Sequence, residues 1–384
     1  MTKLPHSWSW STLGEQCDLY QPKTISKEKM ITGGSYEVYG ANGVIGMYND
    51  YNHEDSEVLL SCRGNCGTVN VSKPKSWING NAMVCRPKTS ALLKNYLRYY
   101  LESVNFAKVI TGTAQQQITR EPLSKVEIAI PPIKEQHKIV ELLQDHLSRL
   151  DAALADVKQA KTKAAQFRAS VLNSIFFDYG SKGWPLYKAA DLGKWITGST
   201  PSSKVSDYVG TDVPFITPGD ILDGGEIADY SRMISNSGAD SVRRLRSNAV
   251  HLVCIGATLG KVGIARFEST SNQQINALEA NEEIVLADFA MWLLASPAMQ
   301  RELWDASSST TVPILNKGNL EKIEVRVPDL SEQIKALEEF DRARLTLEHL
   351  TKDFEIMLEK SNGLRRSILQ AAFTGQLTNE VVSV

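Results

Sequence analysis

Amide and guanidinium side chains stand close to glycines at two places in the first third of the chain. Arg63 and Asn65 flank Gly64, and a run of three glutamines occupies 115–117 between Thr113 and Thr119. If the partner is DNA, such forked groups can read base edges, Arg on guanine and Asn or Gln on adenine. Nearby lysines and arginines suit phosphates. Each of these residues is equally compatible with an ordinary solvated loop.

The same reasoning gives one set of candidate DNA contacts in each half of the chain. The first-half candidates are Arg63, Asn65, Lys73, Lys75, Thr113, Gln115, Gln116, Gln117 and Arg120. The second-half candidates are Lys204, Thr217, Asp220, Lys261, Gln273, Gln274, Thr310, Thr311, Asn316 and Lys317.

Catalytic and cofactor chemistry finds little support in the sequence. Cys62 and Cys66 form the only close cysteine pair and lack a second pair or nearby histidines, so two buried or half-buried thiols are predicted rather than zinc ligands. The stretch 256–262 has three residues between its glycines and Val262 where a phosphate loop needs Ser or Thr, which favours a strand-turn-strand. Neither an Asn-Pro-Pro-Phe nor an Asp-Pro-Pro-Tyr segment for adenine methylation occurs. We therefore predict no catalytic residue, no metal and no cofactor in this chain.

Net charge limits how well the chain alone can hold a polyanion. Residues 1–132 carry +3, residues 133–180 carry +1, residues 181–330 carry −4 and residues 331–384 carry −2, which gives the total of −2. Phosphate neutralisation supplies much of the affinity of DNA-binding proteins. The isolated chain is therefore expected to bind DNA weakly, with partner proteins contributing phosphate contacts.

A long internal repeat organises the sequence. Glu135-Gln136 and Glu332-Gln333 are separated by 197 residues, and the same offset pairs Arg168 with Arg365 and Phe176 with Phe373. Further upstream the repeat persists with smaller offsets, as between Cys62-Arg-Gly64 and Cys254-Ile-Gly256. A period near two hundred residues is far longer than that of solenoid repeats, so the chain is predicted to contain two copies of one domain followed by one helix.

Each copy ends in a predicted long amphipathic helix. Apolar residues from Val140 to Ile175 recur at steps of three and four, and a similar seam runs from Leu337 to Ile368. Such heptad seams require a partner helix, and the two seams can pack on each other. Asp329, three residues before Glu332, provides a capping-box-like start for the second helix. Forty-five residues would make a rod of roughly 67 Å.

The predicted fold class is α+β, with two α/β domains joined by two long antiparallel coiled-coil helices in a tandem, pseudo-two-fold repeat. We assign residues 1–131 to the first domain, 132–180 to the first helix, 181–328 to the second domain, and 329–384 to the second helix and tail. The segments Pro131-Pro132 and Pro328-Asp329 are interpreted as hinges between a domain and its helix. Short strands such as 58–61 and 250–253, and helices near 95–102 and 289–296, are expected inside the domains.

Several stretches, in this order, resemble the specificity subunit of type I restriction-modification systems. They are the openings 8–14 and 184–193, Tyr39 to Gly46, the passage 111–136, the segment 215–221 and the tail 365–377. The resemblance implies two target-recognition domains, each reading one half of a split site in double-stranded DNA, and two conserved helices acting as a spacer. It further implies two methyltransferase subunits carrying S-adenosylmethionine chemistry on adenine, and ATP- and magnesium-dependent restriction subunits.

Two other functions stay open at this level. A coiled-coil scaffold with two ligand domains that do not bind DNA would explain the helices equally well, and a self-sufficient methyltransferase or nuclease is disfavoured by the missing motifs. No stretch approaches eighteen apolar residues and the first residues do not resemble a signal peptide, so a cytoplasmic location without membrane contact is expected.

Overall fold

The structure, a computed structural model, describes residues 4–112, 116–178, 180, 182–202, 204–222, 224–308 and 312–379. The chain divides into two compact units. Unit 1 consists of Met1–Lys158 with Glu355–Val384, and unit 2 is Gln159–Phe354. Each unit therefore contains one α/β domain and parts of two long helices.

The elements before the first long helix build the domain of unit 1. Its strands are β1 (Ser9–Thr12), β2 (Cys17–Tyr20), β3 (Tyr36–Gly40), β4 (Gly43–Tyr48), β5 (Val58–Ser61), β6 (Val69–Val71), β7 (Trp77–Ile78), β8 (Ala82–Pro87), β9 (Ile110–Thr111), β10 (Gln117–Ile118) and β11 (Glu127–Ile130). Its helices are α1 (Leu13–Gln16), α2 (Lys94–Ser103) and α3 (Arg120–Ser124), and the first long helix, α4 (Ile133–Phe176), follows.

The next elements build the domain of unit 2. Its strands are β12 (Leu186–Lys188), β13 (Gly193–Thr197), β14 (Val209–Ile216), β15 (Met233–Ile234), β16 (Ala249–Val253), β17 (Val262–Ala265), β18 (Thr270–Ser271), β19 (Ile275–Ala280) and β20 (Glu324–Arg326). Its helices are α5 (Asn236–Asp240), α6 (Ala287–Ala295), α7 (Pro297–Asp305) and α8 (Lys317–Leu320). The second long helix, α9 (Leu330–Phe373), and the short α10 (Gln376–Asn379) end the described chain.

The two domains share one strand plan. Unit 1 has an antiparallel sheet in the order β2-β8-β5-β6, a three-stranded sheet β4-β3-β7 and the pair β1-β11. Unit 2 has the order β13-β19-β16-β17, the sheet β15-β14-β18 and the pair β12-β20. In both three-stranded sheets the central strand pairs antiparallel on one side and parallel on the other. The duplication predicted from the sequence offsets is therefore a duplication of topology.

The central strands are buried on both faces, so each sheet is covered on both sides. All four residues of β5 and all five residues of β16 are buried. In unit 1, α2 covers the sheet with Tyr96, Leu97, Tyr100 and Leu101, whose spacing places them on one side of the helix. In unit 2, α6 is apolar almost all round, and seven of its nine residues are buried.

Within unit 1, the start of α4 packs beside the end of α9. Glu135 accepts a hydrogen bond from the Thr378 hydroxyl, and Asp151 forms an ion pair of 2.9 Å with Arg365. The residue number rises from Glu135 to Asp151 along α4 as it falls from Thr378, in the short α10, to Arg365 in α9, so the two long helices are antiparallel here. The Phe373 ring packs edge-on against the rings of Tyr96 and Tyr100, with centroid distances of 5.2 and 5.1 Å.

Within unit 2, the end of α4 packs beside the start of α9. Phe176 is fully buried, with ring centroids 5.2 Å from Phe340 and 5.3 Å from Phe289. Phe176 is the repeat mate of Phe373, so the same position of each long helix anchors one domain. These arrangements confirm the predicted fold class of two α/β domains with two long antiparallel helices.

Local predictions for the helix start and the thiols are also confirmed. The Asp329 carboxylate accepts a hydrogen bond of 2.9 Å from the Glu332 amide, so it caps the helix that begins at Leu330. Cys62 is buried and Cys66 half-buried, and burial raises the pKa of both thiols. Between β16 and β17, residues 254–261 form the turn predicted in place of a phosphate loop.

Candidate nucleic-acid interface

In unit 1, the Arg63–Gly67 loop lies against β10. Arg63 and Gln117 are antiparallel bridge partners, and the Ile118 amide donates a 3.0 Å hydrogen bond to the Cys62 carbonyl. Gly64 and Gly67 adopt positive φ values of 73° and 91°, which glycine tolerates without strain. The structure therefore brings together two stretches that the sequence analysis selected separately.

Four side chains on this surface are uncommitted. Arg63, Asn65, Gln116 and Gln117 are exposed, and across 4–112 and 116–178 their side chains make no hydrogen bond or ion pair. A guanidinium and three amides without partners among the described residues can offer their donors and acceptors to base edges. We call these four residues the reading cluster. Thr113 and Gln115, also predicted, lie outside the described residues.

In unit 2, the loop after β16 lies against the segment before α8 through the same backbone contact. The Leu315 amide donates to the Cys254 carbonyl at 2.8 Å, as Ile118 does to Cys62 in unit 1. Ile255 and Ile314 are bridge partners, and Gly256, with φ of 96°, donates its amide to Pro313. The repeat thus builds one loop-to-loop junction twice.

Around the unit 2 junction, the predicted side chains are more engaged than those of the reading cluster. The Lys261 ammonium donates to the Ile221 carbonyl at 3.4 Å, and Gln274 accepts from the Asn272 amide at 3.1 Å. Gln273 accepts from the Thr200 hydroxyl at 2.8 Å. Among the residues that the structure describes, exposed Lys204 has no side-chain partner. Thr310 and Thr311 lie outside the described residues.

The side chains of Thr217 and Asp220 are already bonded to each other and to the neighbouring backbone. One oxygen of the Asp220 carboxylate accepts from the Thr217 amide and hydroxyl at 2.8 and 2.7 Å, and the other accepts from the Ser231 amide at 2.8 Å. Desolvation alone would raise the Asp220 pKa, but the hydrogen bonds from Thr217 and Ser231 outweigh it and lower that pKa. Both carboxylate oxygens are therefore occupied in holding the loop.

The remaining candidates differ in whether their side chains already have a partner. Lys73 pairs with Glu37 at 2.5 Å and Lys75 with Glu54 at 3.6 Å. Asn316 caps α8 by accepting from the Asn319 amide, and Lys317 pairs with Glu321 at 3.4 Å. Arg120, exposed at the start of α3, makes no ion pair within the described chain. Surface pairs of this kind are weak and can be exchanged for phosphate contacts.

A basic cleft near Lys317 escaped the sequence analysis. It has a volume of about 580 Å³ and is lined by Lys194, Arg243, Arg244 and Lys317. Arg243 donates to the Thr197 carbonyl, whereas Arg244 is paired with Asp240 and Glu268. The signal in the sequence is the Arg-Arg-Leu-Arg run at 243–246, which stands in an otherwise acidic half of the chain.

The described residues contain no group of three or more His, Cys, Asp or Glu side chains placed to hold a metal ion. None of the described helices is both long and apolar enough to span a membrane.

Comparison with known families decides the identity of the duplicated domain. The family described as type I restriction modification DNA specificity domain matches residues 5–159 and again residues 181–357. The chain belongs to this family. It carries the specificity domain twice in tandem, which confirms the predicted resemblance to specificity subunits of type I restriction-modification systems.

Individual members of the specificity family match at modest identity. The specificity subunit of the type I restriction enzyme MjaIX from Methanocaldococcus jannaschii is 31% identical over 158 residues, which are 40% of this chain and 36% of that relative. In this alignment the chain spans about a third of its relative. The EcoDI specificity subunit of Escherichia coli is 23% identical over 411 residues, covering 98% of this chain and 90% of that one.

A solved structure supports the fold of the whole chain. A chain from a study of complex assembly and conformational transition of the type I R-M system superimposes with a TM-score of 0.78. It is 17% identical, and the match covers 97% of this chain and 99% of the other. At this identity the likeness concerns the fold alone.

Proposed function

We propose that this specificity subunit reads a bipartite site in double-stranded DNA, with one half-site for each domain, and has no catalytic residue of its own. The observation that carries the proposal is the duplicated loop-to-loop junction at Cys62 and Cys254. A pair of equivalent surfaces on one chain suits a target made of two separated parts.

The reading cluster supplies base readout in unit 1. Arg63 presents a fork suited to guanine, and Asn65, Gln116 and Gln117 present amides suited to adenine. In unit 2 the corresponding surface consists of Lys204, Lys261, Gln273, Gln274 and the Asn316-Lys317 pair. Arg120, Lys73 and Lys75 in unit 1 contact phosphates, which fix the register without reading sequence.

Domain boundaries follow from the same proposal. Residues 1–131 and 181–328 are the two target-recognition domains. Residues 132–180 and 329–384 are the spacer helices with their joints and the tail. The spacer sets the number of unread base pairs between the half-sites.

Chemistry belongs to partner subunits in this proposal. Two methyltransferase subunits supply S-adenosylmethionine-dependent adenine methylation, and restriction subunits supply ATP- and magnesium-dependent cleavage. A chain with a net charge of −2 depends on such partners for phosphate contacts. Apolar residues of the long helices support a helical docking surface: Met357 and Leu364, seven residues apart in unit 1, are 49% and 52% exposed.

Genome-wide mapping of modified adenines, in cells with and without this gene, tests the proposal. We expect one bipartite motif to lose its modification when the gene is deleted and to regain it on complementation. An unchanged pattern of modified adenines would refute it. Deletion of an unrelated, non-essential gene provides the matched control.

A further inference from the structure

A buried glutamine connects the domain of unit 1 to the long helix that follows it. Gln136, the fourth residue of α4, is fully buried. Its side-chain oxygen accepts from the Leu93 amide at 2.9 Å, and its nitrogen donates to the Ala91 carbonyl at 2.8 Å and the Pro131 carbonyl at 2.9 Å. One acceptor and both donors of the amide are therefore used.

Unit 2 repeats this connection with its own residues. Gln333, the fourth residue of α9, is fully buried as well. Its oxygen accepts from the Leu286 amide at 2.8 Å, and its nitrogen donates to the Ile284 and Pro328 carbonyls, each at 2.8 Å. The two glutamines are repeat mates, so the same three bonds occur independently in two domains.

The partners of each glutamine belong to two segments outside its own helix. Leu93 and Leu286 are the N-cap residues of α2 and α6, and neither helix has a side-chain cap of its own. Pro131 and Pro328 belong to the junction in front of the long helix. Each glutamine thus ties a short domain helix, a junction and a long helix together. A primary amide fits this role because an ionised Glu cannot donate a hydrogen bond, and Met has no donor and only a weak thioether acceptor.

We propose that Gln136 and Gln333 are positioning residues, each fixing the angle between one recognition domain and the long helix that leaves it. The inference rests on the proposed function, because the angle matters only if each domain presents its surface to one half-site. Loss of the three bonds leaves the sheets and the aromatic contacts of Phe373 or Phe176 in place, so the domain stays folded while its orientation varies.

The angle can be measured without DNA. The test uses the full chain with spin labels at Asp55→Cys in the domain and Gln144→Cys on α4, both of which are exposed in unit 1. Cys66→Ser removes the half-buried thiol, and the other four cysteines are buried. Pulsed electron double resonance then gives the distribution of distances between the two spin labels. We expect Gln136→Met, which preserves shape, to broaden it, and Gln333→Met, which acts in unit 2, to leave it unchanged.

A second variant protects the test against loss of folding. Leu93→Pro removes the N–H that donates a hydrogen bond to Gln136 and keeps the glutamine itself. The Leu93 φ of −71° suits proline. It should broaden the same distribution. Distributions as narrow as that of the parent chain in both variants would overturn the inference, as would equal broadening by Gln333→Met.

The functional arm uses the chain assembled with its methyltransferase subunits. Duplexes carry the mapped site with its natural spacer or with one base pair added or removed. The parent complex should prefer the natural spacer. Gln136→Met should reduce that preference because a domain whose orientation varies can also reach half-sites at other spacings; we expect a reduction of about fivefold or more, the factor that corresponds to the lower end of the cost of leaving a buried polar group unpaired. A parent complex without spacer preference would refute the proposed function; a variant with full preference would refute only the role of the glutamine.

Discussion

Replacing Phe176 by Ala is a sharp test of how the long helices hold the domain of unit 2. The ring is fully buried between Phe289, Phe340 and Trp292, with centroid distances of 5.3, 5.2 and 6.4 Å. Truncation of a phenylalanine at such a site lowers the free energy of unfolding by about 3–5 kcal/mol. For a unit of this size the melting temperature should fall by about 10 °C.

Calorimetry combined with hydrogen exchange is the suitable assay. Because the chain has two units, the calorimetric transition alone does not identify the unit affected, whereas amide exchange reports each region separately. Faster exchange should be confined to β13, β16, β19 and α6. Phe167→Ala is the matched control, since Phe167 lies on the same helix with 58% of its surface exposed. The control should change stability by less than about 0.5 kcal/mol. A loss below about 1 kcal/mol for Phe176→Ala would refute the packing described.

Three further predictions concern a loop, the spacer and the domains. Asp220→Asn should lower the free energy of unfolding by about 1 kcal/mol at neutral pH, because one backbone N–H of the loop held by Asp220 loses its carboxylate acceptor. Since folding lowers the Asp220 pKa, the difference between the two proteins should vanish as the pH falls through the pKa of the folded state. Equal stability of the two proteins in urea at pH 7 would contradict this prediction. Four residues inserted into one long helix add about 6 Å, so the recognised spacer should grow by one or two base pairs at about 3.4 Å each; an unchanged spacer in a methylation assay would count against the ruler. Exchange of residues 1–131 for another recognition domain should alter one half-site only, and a change in both would refute independent domains.

Much of the fold could be predicted from the sequence because the two copies of the repeat can be compared with each other. Two copies that keep a common offset through Phe176 and Phe373 indicate equivalent anchoring positions, and apolar periodicity located both long helices. The strand 58–61 was predicted with the bounds it has, since a short apolar run between turns leaves few alternatives.

The buried glutamines were not predicted, although their Glu-Gln pairs defined the repeat. A glutamine in the first turn of an amphipathic helix is normally solvated, and its burial here depends on Leu93, which is 43 residues earlier in the chain. Sequence separation of this size hides the contact from any local pattern. The same limit applies to Asp220, whose second oxygen is held by Ser231.

Loop candidates show where residue type alone is insufficient. The sequence predicts both Arg63 and Lys73 as DNA contacts, but the structure pairs Lys73 with Glu37, whereas the Arg63 side chain makes no hydrogen bond or ion pair within the described chain. Whether a side chain is committed depends on the neighbouring strand, which the linear sequence does not reveal.

The central claim is that two separate surfaces on one chain read two half-sites. Its most direct test is the map of modified adenines in cells carrying Arg63→Ala together with Gln117→Ala. We predict relaxed sequence preference in one half-site, with the other half-site and the spacer unchanged. Simultaneous change of both half-sites, or a motif identical to that of the parent chain, would contradict the account.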